Sequence, residues 1–174
     1  NTDLIHISYS TPKTQSRVYL YNLKTKEKKL VKEQIIPSGH NPDNYIVERL
    51  DCDSHDGKKI PLTIIRNKKT KIDGNAKLLL YGYGSYGNSM SPSFSSNKFS
   101  LIDRDIIWVT AHVRGGLERG MKWWKEGKLL NKKNTFKDYI SVAKFLIEKK
   151  YSSKGKIIGM GGSAGGLLMG AVVN

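Results

Sequence analysis

The chain has 174 residues, 38% hydrophobic and 26% charged, with a formal net charge of +15 and a pI near 9.8. That length and balance suit a soluble globular protein with one sizeable core and argue against a disordered chain. The single cysteine, Cys52, excludes an intrachain disulfide and a Cys-x-x-Cys redox or metal site, so a reducing, cytoplasmic setting is expected.

Residues 4–10 (LIHISYS) and 17–23 (RVYLYNL) carry β-branched and aromatic residues on either side of polar turn residues, which predicts antiparallel strands. Asp3 and His6 interrupt this start and no long apolar run follows, unlike a secretory leader. Residues 37–44 (PSGHNPDN) concentrate proline, glycine and asparagine and mark a boundary. Residues 45–50 and 58–67, joined through SHDG, predict a hairpin. Short apolar strands follow at 77–81 and 106–113, separated by a polar stretch, 85–97, with no regular pattern. Residues 134–150 give the clearest helix, with Phe136, Ile140, Ala143 and Ile147 along one face, a capping box from Thr135 and Asp138, and Lys149 and Lys150 at the negative end. A strand at 156–160 and an apolar helix at 164–173 complete the grammar of an α/β protein with a mostly parallel sheet.

Three glycine-rich strand ends carry the candidate chemistry. In IIGMGGSAGGLLMGAVV, residues 157–173, the spacing Gly161, Ser163, Gly165 matches the nucleophile elbow, a sharp strand-to-helix turn that presents a serine to a carbonyl. An ordinary glycine loop is one competing reading. A membrane span is another, but 17 uncharged residues that include six glycines are short and poor for it. YGYGSYG, residues 81–87, puts tyrosines at the carboxyl edge of a strand, where their hydroxyls either donate to an oxyanion or simply pack. AHVRGG, residues 111–116, offers Arg114 to bind a carboxylate or orient a loop, and a single copy is a weak match to an RNA-binding RGG segment.

The basic excess, mostly lysine at 24–32, 66–71, 122–133 and 149–156, reads as a solvated surface. A nucleic acid or acidic membrane partner competes with that reading, without the interleaved basic and aromatic stripe such binding uses.

Taken in order, YGYGSYG, HVRGG, GKLLNKKNTFKDY and MGGSAGGLLMGAVVN resemble the prolyl oligopeptidase family of serine peptidases, and within it the oligopeptidase B (protease II) group. The resemblance covers residues 45–174 and implies the first half of an α/β-hydrolase domain. It implies that residues 1–36 are the last strands of a preceding β-propeller, with 37–44 as linker. By the same resemblance Ser163 is the acylating nucleophile, the Ala164 amide and the Tyr83 hydroxyl form the oxyanion hole, and Tyr86 lies near the substrate pocket. No cofactor or metal is implied. Short peptides cut after Lys or Arg are the implied substrates, with the acidic pocket residues beyond Asn174. One local departure is RGGLERG, with Leu117 where relatives carry glycine, so a position needing positive φ would be strained.

A serine needs a histidine to take its proton and an acid to orient that histidine. His6, His40, His55 and His112 all precede Ser163, and residues 164–174 contain no His, Asp or Glu. Pairing His112 with Asp103 would require an unusual triad order, so a structural role is the expectation for His112. The chain therefore reads as a fragment that is inactive and weakly stable alone, completed by a complementing chain that carries the acid, the histidine and further strands. An esterase on the same elbow and a catalytically silent binding fragment are the alternatives.

Overall fold

The computed structural model describes residues 2–174. Two sheets form. The first is an antiparallel meander of β1 (Leu4–Thr11), β2 (Thr14–Asn22) and β3 (Lys28–Glu33). A 3-10 turn at Pro42–Asn44, capped by the Asn41 side chain, leads into the second sheet. That sheet contains β4 (Tyr45–Asp53), β5 (Lys59–Asn67), β6 (Lys77–Gly82), β7 (Ile106–Ala111) and β8 (Ile157–Met160), in the order β4-β5-β7-β6-β8.

The second sheet is mixed, which corrects the expectation of a mostly parallel one. The hairpin partners β4 and β5 pair antiparallel, as do β5 and β7, while β6 pairs parallel with both β7 and β8. The reason lies in the connections: a tight turn at Ser54–Lys58 reverses the chain between β4 and β5, whereas helices carry it back from β6 to β7 and again from β7 to β8, so these three strands run the same way. The crossover helices are α1 (Ser96–Ile102) and α3 (Lys133–Glu148), with the short α2 (Met121–Lys125) before α3, and α4 (Ala164–Val173) follows β8. The helical turns α1 and α2 were not expected from the sequence, being too short to show a period.

Alternation along the central strands divides the core into two layers. Leu78, Leu80, Ile107, Val109 and Leu62 pack on one face under Tyr139, Val142 and Leu146 of α3. Leu79, Trp108 and Ile65 pack on the other with Phe99 and Ile102 of α1. Both faces are covered, which is why these strands read as continuous apolar runs.

The inward stripe of α3 differs from the expected one. Thr135, Asp138, Tyr139, Val142 and Leu146 are buried, whereas Ile140 and Ile147 are each 38% exposed. No side chain caps the helix start, and Thr135 and Asp138 face inward instead of forming a capping box. Two polar residues on the buried stripe hid its true phase.

The first sheet buries little beyond Thr14 and Gln15. It meets the second through Lys13, whose Nζ donates to the Tyr45 carbonyl at 3.3 Å, and through His40, whose ring lies 2.8 Å from the Lys13 carbonyl and stacks on Tyr45. Cys52 is buried and its thiol is pushed up to about 12, mainly by burial and then by the charge of Asp138. Among the described residues no helix is long and apolar enough to cross a membrane, and no group of His, Cys, Asp and Glu could hold a metal ion.

Candidate active site

Adjacent parallel strands β6 and β8 both end at one edge of the second sheet, and the two loops leaving them meet there. At the end of β8 the chain turns through Gly161, Gly162 and Ser163 into α4. Ser163 has φ 53° and ψ −121°, a left-handed conformation that few non-glycine residues adopt. The neighbouring glycines are required by close backbone approach: a Cβ on Gly161 would lie 2.4 Å from the Gly165 carbonyl oxygen, and one on Gly165 would lie 2.8 Å from that of Gly82. The bend leaves Ser163 exposed, and its side chain does not cap α4. The hydroxyl thus stands free at the helix N-terminus. The first α4 residue, Ala164, offers its amide without an acceptor among the described residues, while Gly165 and Gly166 bond back to Gly162 and Ser163.

Tyr83 follows β6 between two glycines. A Cβ on Gly165 would be 3.6 Å from both Cα and Cδ2 of Tyr83, so the tyrosine runs alongside the elbow. Tyr86 sits at φ 57° and is 78% exposed. With Ala164, Leu167, Trp124 and Lys128 it lines a cleft of about 410 Å³. Lys128 places its ammonium 3.7 Å from the centroid of the Trp124 ring in this cleft. Ser163, Ala164, Tyr83 and Tyr86 are therefore brought to one sheet edge, the position where α/β proteins bind ligands.

The third strand end is built differently. Arg114 is fully buried, and its backbone amide and Nε both donate to Oδ2 of Asp138, at 3.0 and 2.8 Å. Its terminal nitrogens reach Asp138 Oδ1, Ser54 Oγ and both oxygens of Asp56. Burial works against a charged Asp56, yet the hydrogen bonds and charge of Arg114 win and hold its carboxyl down at about 2. The same partners raise the Arg114 guanidinium against its desolvation. Sequence reasoning allowed Arg114 a carboxylate partner but missed Asp138, Asp56 and Ser54. An aspartate on a helix face that otherwise alternates with apolar residues was the available signal.

None of the four histidines lines the cleft beside Ala164. His112 is buried with Nε2 2.9 Å from Thr63 Oγ1 and Nδ1 3.5 Å from Glu118, while Asp103 accepts a hydrogen bond from the Tyr45 hydroxyl in the cluster under α1. The His112 and Asp103 pairing is thus not formed, and His112 is structural. His40 serves the contact between the sheets, His6 is exposed on β1, and His55 sits in the hairpin turn beside Ser54. Leu117 carries no strain either: the positive φ angles of this loop fall on Gly115 and Gly120.

Residues 92–174 match the family model described as prolyl oligopeptidase family. The chain is similar to dipeptidyl aminopeptidase BI of Pseudoxanthomonas mexicana, 46% identical over 99% of the chain and 24% of the relative. It is also similar to protease 2 of Moraxella lacunata, 39% identical over 100% of the chain and 25% of the relative. Among solved structures, oligopeptidase B from Leishmania major superposes with a TM-score of 0.87 at 38% identity, covering 99% of the chain and 24% of that structure. The chain spans about a quarter of the length of these relatives. On these likenesses and on its motifs, the chain belongs to the prolyl oligopeptidase family of serine peptidases.

Proposed function

We propose that this chain is the nucleophile-bearing part of a serine oligopeptidase of the oligopeptidase B type, which cleaves short peptides through an acyl-enzyme on Ser163. The observation that carries the reading is the exposed Ser163 at positive φ, with the free Ala164 amide and the Tyr83 ring beside it. In this mechanism Ser163 Oγ attacks the scissile carbonyl and loses its proton to an imidazole. The resulting oxyanion is held by the Ala164 N–H and the Tyr83 hydroxyl. Proton return to the amine releases one product, and water then hydrolyses the ester.

The strand order β4-β5-β7-β6-β8, with only its far half parallel, supports reading residues 45–174 as the opening half of an α/β-hydrolase domain. The exposed meander supports reading residues 1–36 as propeller strands, with 37–44 as the linker. We assign the imidazole and its orienting acid to polypeptide outside these residues, in the same longer protein or on a complementing chain. Cleavage after Lys or Arg follows from the oligopeptidase B likeness. It requires local acidity in that other polypeptide, because a net +15 disfavours basic peptides at long range. A lone, buried Cys52 is compatible with a reducing cytoplasm.

The test is fluorophosphonate labelling of the protein with and without the complementing polypeptide, with Ser163→Ala as control. Labelling at Ser163 together with hydrolysis of an arginyl anilide is expected when both are present. Labelling elsewhere, or peptidase activity that survives Ser163→Ala, would sink the proposal. An ester cleaved without any anilide turnover would point to the esterase alternative.

A further inference from the structure

We infer that Arg114 and Asp138 are positioning residues for the Tyr83 hydroxyl, setting the oxyanion hole from the opposite side of the loop. The inference rests on the proposed serine peptidase reading and extends it to residues that touch no substrate.

Tyr83 is flanked by Gly82 and Gly84, and both glycines are seated against other elements with no room for a Cβ. At Gly82 a Cβ would meet Tyr139 at 2.8 Å and Leu168 at 2.9 Å. At Gly84 it would meet Thr135 at 2.4 Å, Val113 at 2.7 Å and the Arg114 carbonyl at 2.8 Å. The backbone on either side of the tyrosine is therefore gripped by α3, by α4 and by the segment after β7. That segment is in turn fixed to α3 by Val113, which packs in the core beneath the helix, and by hydrogen bonds. The Arg114 amide and Nε donate to Asp138, and the Thr135 hydroxyl lies 2.7 Å from the Arg114 carbonyl and 3.2 Å from that of Gly127.

Gly115 comes next, so close that a Cβ on it would be 1.9 Å from the Gly84 carbonyl oxygen. Its own carbonyl accepts from the Gly87 amide at 2.9 Å. Lys132, one residue before α3, adds a second tie from its Nζ to Ser85 Oγ at 2.7 Å. The Tyr83 loop thus hangs between two points, and Asp138 sets the direction of one of them by holding the Arg114 amide and guanidinium. A planar guanidinium bonded along both edges fixes direction as well as distance, which a lysine could not do. Because catalytic donors must be aimed at the developing oxyanion, a displacement of about 1 Å is enough to cost on the order of a hundredfold in rate.

The test is a double-mutant cycle in the full-length enzyme, with Asp138→Asn combined with Tyr83→Phe and kcat and KM measured on one peptide anilide. Asp138→Asn is expected to lower kcat by about 10- to 100-fold with KM changed less than about threefold, and to cost less than about twofold once the Tyr83 hydroxyl is gone. A general loosening of the fold would not spare the Tyr83→Phe background. Equal losses in both backgrounds would overturn the inference and leave the serine mechanism standing. Turnover surviving Ser163→Ala, or a Tyr83→Phe variant of full activity, would remove the underlying reading and the inference with it. If Asp138→Asn does not fold, Thr135→Val, which deletes the hydroxyl tie to the Arg114 carbonyl, decides between the same two outcomes.

Discussion

Two glycine-rich strand ends of the second sheet are built on opposite principles. After β8 the chain exposes Ser163 at positive φ with its hydroxyl uncommitted to the helix it begins. After β7 the chain buries Arg114 completely and gives its guanidinium two carboxylates and a serine hydroxyl. Strain and free donors mark the place where a reacting molecule completes the structure. Saturated hydrogen bonding marks the place where the protein completes itself. On the proposed function, the difference separates a motif of chemistry from a motif of frame, although both read as small residues after an apolar strand.

The largest effect that sharpens this contrast is at the exposed end. Ser163→Ala is expected to lower peptidase turnover by on the order of a millionfold while leaving the thermal midpoint nearly unchanged, as checked by anilide kinetics beside calorimetry. The buried end should behave in reverse. Arg114→Met leaves Asp138 uncompensated in the interior and is expected to cost about 3–5 kcal/mol of stability, measured by urea unfolding. A smaller effect is expected at the tyrosine shared by both ends. Tyr83→Phe should reduce kcat by about a hundredfold with little change in KM or stability.

The smallest effect is a pH dependence. Asp56 titrates at about 2 in the folded protein against an ordinary 3.8, so its pairing with Arg114 stabilises fully above that ordinary value and is lost as pH falls toward 2. The thermal midpoint of the wild type should therefore drop over that acid range more than that of Asp56→Asn. Identical slopes would show that Asp56 adds nothing to the frame. An Arg114→Met protein as stable as wild type would break the contrast outright.

Much of the sheet was legible. The apolar runs at 77–81 and 106–113 became β6 and β7, and the SHDG turn became the β4–β5 hairpin, because period and turn chemistry are local. The elbow was legible for the same reason, since its glycines answer to backbone clashes within a few residues. What escaped was long-range. The antiparallel pairing of β5 with β7 is set by residues some 45 positions apart and leaves no local mark. The polar members of the α3 stripe misled the phase, since Thr135 and Asp138 are inward only because Arg114 waits for them, 21 and 24 residues earlier in the chain. A polar residue at an apolar period is an informative exception when a distant partner of opposite charge has no other place to go.

The left-handed turn at position 163 also restricts which alcohols a descendant gene could try there. Threonine carries the same functional group, but a β-branched side chain is a severe outlier at positive φ. Cysteine is unbranched and escapes that penalty. Mutational drift at this codon is thus freer to trade oxygen for sulfur than to add a single methyl group, so backbone shape guards the element of the nucleophile less closely than its branching.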